Sequence, residues 1–175
     1  LNDFNATDSE YPRDKTVVDL FEEQAEKSPD KTALIYENTK ITYAELNAKA
    51  NRVAHNLRDN GVKVGDYVAM YIERSFEMVI GIYGIIKAGG IYVPINTMYP
   101  SERVEYILKD CGAKVLLCGE TKLEIDSSVK RIDLKSTEAY SVDESNLKTK
   151  LDPENGLYVI YTSGTTGNPK GVEIM

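Results

Sequence analysis

The densest chemistry in the chain lies in the stretch YTSGTTGNPKG, Tyr161 to Gly171. Hydroxyls on Thr162, Ser163, Thr165 and Thr166 stand among Gly164, Gly167 and Gly171, with Lys170 close behind. Glycines let the backbone turn sharply and let a ligand approach with no Cβ in the way. Successive N–H groups in such a turn form a nest for an anion. The hydroxyls add donors and the lysine adds charge, with no acid in the run to neutralise it. Donors around one cation suit a polyphosphate, at about 1.5–3 kcal/mol for each charge-assisted bond.

The ordinary P-loop does not describe this stretch. Gly164 to Lys170 has the right spacing for G-x-x-x-x-G-K-[ST], but Pro169 stands at the second glycine and Gly171 at the Mg-binding hydroxyl. Pro169 also lacks the N–H that a cradle would use there. A Gly/Ser/Thr run can also be a plain flexible loop. Against that, the run follows a hydrophobic strand directly, and α/β proteins place ligands at the carboxyl ends of strands.

The elements that must position this loop are read from periodicity. Thr16 starts a helix through Lys27 with Leu20, Phe21 and Ala25 on one face, stopped by Ser28-Pro29-Asp30. Thr32–Tyr36 and Ile41–Thr42 flank the polar turn ENTK as a short hairpin. Thr42-Tyr43-Ala44-Glu45 is a capping box, followed by Leu46, Ala50, Val53, Ala54 and Leu57 at helical spacing and by an Asn60-Gly61 stop. His55 falls on the opposite, wet face of that helix and carries no catalytic expectation. Strands follow at Tyr67–Ile72, Ile91–Ile95, Lys114–Cys118, Lys130–Leu134 and Leu157–Thr162, with helices at Ser75–Lys87 and Ser101–Lys109. Glu138–Leu151 is polar, without clear period, and reads as loop. The alternation predicts an α/β fold with a mostly parallel sheet.

The 175 residues are 42% hydrophobic, enough for a core, and carry a net charge of −7, which speaks against a general nucleic-acid binder. Cys111 and Cys118 are too few for a disulfide scaffold, fit no zinc spacing, and read as reduced cysteines of a cytoplasmic protein; no metal-binding residue is assigned. The longest apolar stretch, Phe76–Ile95, is broken by Glu77, Lys87, Gly89-Gly90 and Pro94, so no membrane span is expected.

YTSGTTGNPKG resembles the phosphate-loop signature of the adenylate-forming enzymes: acyl-CoA ligases, luciferases and the adenylation domains of nonribosomal peptide synthetases. ITYAELN, Ile41–Asn47, resembles the first core motif of the peptide-synthetase adenylation domains. IKAGGIYVPINTMYPSER, Ile86–Arg103, resembles their second, except that Asn96-Thr97 stand where an Asp-Pro pair is usual, which leaves the turn geometry open. FNATDSEYPRDKTVVDLFEEQAEKSPDKTAL, Phe4–Leu34, is similar to the segment joining a condensation domain to such an adenylation domain.

The resemblance implies residues 1–15 as interdomain linker and 16–175 as the N-terminal part of the large adenylation subdomain, cut just past the phosphate loop. It implies attack of an amino-acid carboxylate on the α-phosphate of Mg·ATP, then passage of the acyl group to phosphopantetheine on a carrier domain. Thr162, Ser163, Gly164, Thr165, Thr166, Gly167, Lys170 and Gly171 would hold the nucleotide phosphates. Lys170 would take the catalytic role of following charge onto the leaving pyrophosphate. The implied partners are the amino acid and the condensation and carrier domains, while the piece alone would be inactive and open to self-association through uncovered apolar surface. The competing readings are an acyl-CoA or aryl-acid ligase of the same superfamily and a non-catalytic piece that docks on a synthetase.

Overall fold

The computed structural model describes residues 10, 12–119, 123–125, 128–162 and 168–175. Two helices open on reciprocal caps. Helix α1 (Val17–Lys27) starts at Thr16, whose Oγ1 accepts from the Asp19 amide at 3.2 Å while Asp19 Oδ2 accepts from the Thr16 amide at 2.7 Å. A two-residue turn, Glu37-Asn38, joins β1 (Thr32–Tyr36) to β2 (Thr39–Thr42), tighter than the four-residue turn expected, with Glu37 at φ 52°. Thr42 and Glu45 then form the expected capping box of α2 (Tyr43–Asp59), with bonds of 3.2 and 2.7 Å. Gly61, at φ 84°, lets the chain leave α2 as anticipated.

The main sheet alternates with helices: β3 (Tyr67–Tyr71), α3 (Phe76–Lys87), β4 (Ile91–Pro94), α4 (Ser101–Cys111), β5 (Val115–Cys118), β6 (Lys130–Asp133), β7 (Tyr158–Thr162) and β8 (Lys170–Ile174). A short 3-10 turn, Thr137–Ala139, follows β6. The strand order is β6-β5-β3-β4-β7-β8, with β8 alone antiparallel to its neighbour. The expected α/β fold with a mostly parallel sheet is what forms.

Side chains alternate along the strands and divide two cores between the faces. Val68 and Met70 of β3 pack with Leu117 of β5, Ile80 and Ile85 of α3, and Leu46, Val53 and Leu57 of α2. Ala69 and Tyr71 pack with Leu116, Val93, Val159 and Tyr161 under Val104, Ile107 and Leu108 of α4. The crossovers after β3 and β4 thus leave toward opposite faces. Adjacent carboxyl ends that part in this way open a crevice.

Three expectations change on contact with the fold. Leu20 is 42% exposed although Phe21 and Ala25 are buried. Helix α1 leans inward on that narrower edge, with Phe21 stacked on Tyr83 at 4.0 Å. His55 is partly covered, because the polar run after residue 138 lies along α2 instead of standing off in water. Arg52 Nε donates to the Ser141 carbonyl at 2.6 Å, Asn51 Nδ2 to the Glu144 carbonyl at 2.7 Å, Asn56 Nδ2 to the Glu138 carbonyl at 3.0 Å, and His55 Nε2 sits 3.0 Å from the Ser145 carbonyl. Lys87, read as punctuation in an apolar run, is buried at 1% exposure and pairs with Glu22 of α1. Burial pulls the Lys87 pKa below its ordinary value, and the Glu22 carboxylate opposes that pull.

Candidate functional site

Strand β7 carries the chain to the carboxyl edge of the sheet, where the candidate loop begins. Its burial alternates: Val159 and Tyr161 point into the α4-side core, Ile160 and Thr162 out of it. The loop returns into β8, and the Cα partners across this hairpin are Thr162 with Lys170 and Tyr161 with Gly171. The two ends of the loop are therefore side by side. Ser163, Gly164, Thr165, Thr166 and Gly167, all assigned to phosphate on sequence grounds, lie outside the described residues. Thr162 and Lys170 are brought together, and both are exposed.

Two of the assigned residues lie on a strand. Lys170 was expected within the loop, and Gly171 was expected to admit a ligand. Both belong to β8, a strand that periodicity did not reveal because it is wholly exposed. A Cβ on Gly171 would stand 2.9 Å from Val159 Cγ1 and 3.1 Å from Tyr161 Cζ. Its bare backbone thus makes room for the core side chains of β7. Lys170 is exposed, and among the described residues no carboxylate pairs with it. An exposed lysine beside an exposed hydroxyl at a strand's carboxyl end suits an anion.

Tyrosine hydroxyls fix the surroundings. Tyr161 donates to Asp110 Oδ2 on α4 at 2.7 Å, and burial followed by that bond pushes its phenol pKa far up. Tyr71 donates to the Thr97 carbonyl at 2.7 Å, and Tyr67 donates to Glu173 Oε2 of β8 at 2.7 Å. The turn after β4 has a definite form without a proline: Asn96 Oδ1 accepts from the Met98 amide at 2.9 Å and the Asn96 carbonyl from Tyr99 at 3.0 Å. Sequence reasoning passed over Asp110. The signal was an acid in the last turn of α4, where the helix dipole disfavours it.

Among the described residues no group of three or more His, Cys, Asp or Glu could hold a metal. No helix there is long and apolar enough to cross a membrane. Both cysteines are free thiols, held above their ordinary pKa by burial. The donor set at Thr162 and Lys170 fits phosphate oxygens.

Residues 21–175 match the family described as AMP-binding enzyme. The chain belongs to that family. Along 99% of its length this AMP-binding chain is 47% identical to a mycosubtilin synthase polypeptide of Bacillus subtilis, and along 99% it is 46% identical to bacitracin synthase 1 of Bacillus licheniformis. It spans 7% and 3% of those proteins. Among solved structures, the nonribosomal peptide synthetase FmoA3 superposes with a TM-score of 0.88 at 31% identity, covering 99% of this chain and 18% of that one. The N-terminal subdomain of NpsA from Klebsiella oxytoca gives 0.83 at 31%, covering 93% and 42%. The AMP-binding chain thus carries the fold of the N-terminal adenylation subdomain, as the sequence motifs implied.

Proposed function

We propose that this chain forms the triphosphate-gripping part of a peptide-synthetase adenylation domain. In that reading an amino-acid carboxylate attacks the α-phosphate of Mg·ATP, and the bond to the leaving pyrophosphate breaks as the aminoacyl-adenylate forms. The observation that carries the reading is the root of the loop. Thr162, with its hydroxyl, and Lys170, with its ammonium, are exposed Cα partners across the hairpin at the sheet's carboxyl edge. The similarity to mycosubtilin and bacitracin synthases supports it.

Charge builds on the β- and γ-phosphates as pyrophosphate leaves. Lys170, unneutralised and on a strand end, would follow that charge, and the Thr162 hydroxyl would donate to a phosphate oxygen. Groups fixed before the reaction stabilise developing charge without having to reorganise. We assign Ser163, Gly164, Thr165, Thr166, Gly167 and Gly171 to the same phosphates, Gly171 also leaving room for Val159 and Tyr161. Magnesium enters with the nucleotide. Residues 1–15 are a linker, and the setting is the cytosol, where ATP is supplied and free thiols persist. A carrier domain bearing phosphopantetheine takes the acyl group, and a condensation domain works beside it. The fused adenylation–PCP di-domain structure of NpsA-ThdA, similar at 30% identity and a TM-score of 0.85, is consistent with such a partner.

A second reading, activation of an aryl acid, draws on the NpsA subdomain solved with 3-hydroxybenzoyl-AMSN. FmoA3, solved with α-methyl-L-serine-AMP, is matched at 30% identity against 31% for NpsA, so the two do not discriminate. The 47% identity to a peptide synthase favours the amino acid. ATP–pyrophosphate exchange in the complete polypeptide separates the two: exchange dependent on an amino acid supports the proposal, and exchange dependent only on an aryl acid overturns it.

A further inference from the structure

The carboxyl end of β7 extends past its pairing with β4. Its ladder with β4 has one paired position, Tyr92 with Tyr158, at the far end of the strand from the loop. On its other side β7 pairs with β8 at all five positions, but β8 buries none of its residues, and its tie to the rest of the sheet, Tyr67 to Glu173, lies toward the end away from the loop. What holds the loop's root from within is Tyr161. Its ring lies in the core over Gly171, and its hydroxyl donates to Asp110 at 2.7 Å. Asp110 rides on α4, which is itself seated by the fully buried Val104, Ile107 and Leu108. A carboxylate in the last turn of a helix works against the helix dipole, so its partner matters to it.

We infer that Tyr161 and Asp110 are positioning residues for the triphosphate loop, acting through Thr162 and its cross-strand neighbour Lys170. The inference rests on the proposed function and names a control of that same site. Loss of the hydroxyl–carboxylate bond frees the end of β7 to shift, and Thr162, Lys170 and Gly171 shift with it. Errors near 1 Å in such groups are enough to cost large factors in rate.

The experiment uses the complete polypeptide as parent, Asp110→Ala, Asp110→Asn and Tyr161→Phe, with Mg·ATP as the ligand. Two quantities are read: ATP affinity, and hydrogen exchange at the amides of Tyr158–Thr162 and Lys170–Ile174. Asp110→Ala and Tyr161→Phe are expected to weaken ATP binding about tenfold, the size of one bond to a charged group. They should also speed amide exchange in both strands and leave the amino-acid KM unchanged. Asp110→Asn should restore both quantities, because its amide oxygen accepts the same bond. Unchanged exchange in Asp110→Ala would overturn the inference, as would parent-like ATP affinity accompanied only by a lower unfolding midpoint. If the parent itself fails to bind ATP, the functional reading falls, and amide exchange alone decides whether the anchor exists.

Discussion

Where α2 meets α3, the backbones approach so closely that a Cβ on Gly84 would stand 2.5 Å from Val53 Cγ1. Around that contact Ala50, Val53, Ala54, Leu57 and Ile85 are sealed from water. At the edge of the sheet β8 buries nothing, and Ile160, Val172 and Ile174 remain at 40–50% exposure. The first region is held by many small dispersion contacts, none decisive alone. The second is held by a few directed bonds, Tyr161 to Asp110 and Tyr67 to Glu173. Stability is concentrated away from the candidate site, and the site is placed by hydrogen bonds that single substitutions can remove. The uncovered apolar side chains on β7 and β8 are also where we propose that the chain would meet a partner or a second copy of itself.

The contrast is easiest to break with core truncations. Leu117→Ala, at a position with no exposure, should cost about 2–5 kcal/mol in urea unfolding of the chain. Lys87→Ala should cost about 3 kcal/mol, toward the low end for a broken buried pair, since Glu22 keeps some contact with water. Lys87→Met should recover only the share that is lost packing, because Glu22 is left unpaired in both variants. A Lys87→Met variant as stable as the parent would mean that packing of the stem, not the pair, sets the loss. Thr42→Ala, which removes one half of the α2 capping box, should lower stability by about 1 kcal/mol. Val172→Ala on β8 should change it by less than about 0.5 kcal/mol. A large loss at Val172 would erase the difference between the two regions.

The smallest effect is in acid. Hydrogen bonds from Thr16 hold the Asp19 carboxyl below its ordinary value, and bonds from Thr42 do the same for Glu45. A depressed carboxyl stabilises the fold above its unfolded value, 3.8 for Asp19 and 4.5 for Glu45, and that share is lost as pH falls through the lower folded values. Thermal unfolding of Thr16→Ala should therefore fall less steeply than the parent's below about pH 4. Parallel curves would mean that the cap does not set the Asp19 titration.

Much of the frame was readable before the fold. The box at Thr42–Glu45, the stop at Gly61 and the alternation from Tyr67 to Cys118 depend on neighbours a few residues apart, and such patterns survive in one dimension. The burial of Lys87, the cover over His55 and the Tyr161–Asp110 bond join residues 51 or more positions apart, which no local period encodes. Strand β8 escaped for another reason: with neither face buried, it shows no alternation of apolar and polar burial. The site divided in the same way. The loop's composition announced an anion, whereas the reason for Gly171 needed the position of Val159 and Tyr161.

The central claim is that the ammonium at the root of the loop acts on the departing pyrophosphate. Lys170→Ala in the complete polypeptide tests it through amino-acid-dependent ATP–pyrophosphate exchange, measured beside amino-acid binding. The account predicts about a hundredfold loss of exchange, the scale of one preorganised charge-stabilising group, with amino-acid affinity essentially kept. Equal losses in both, or exchange at the parent's rate, would contradict it.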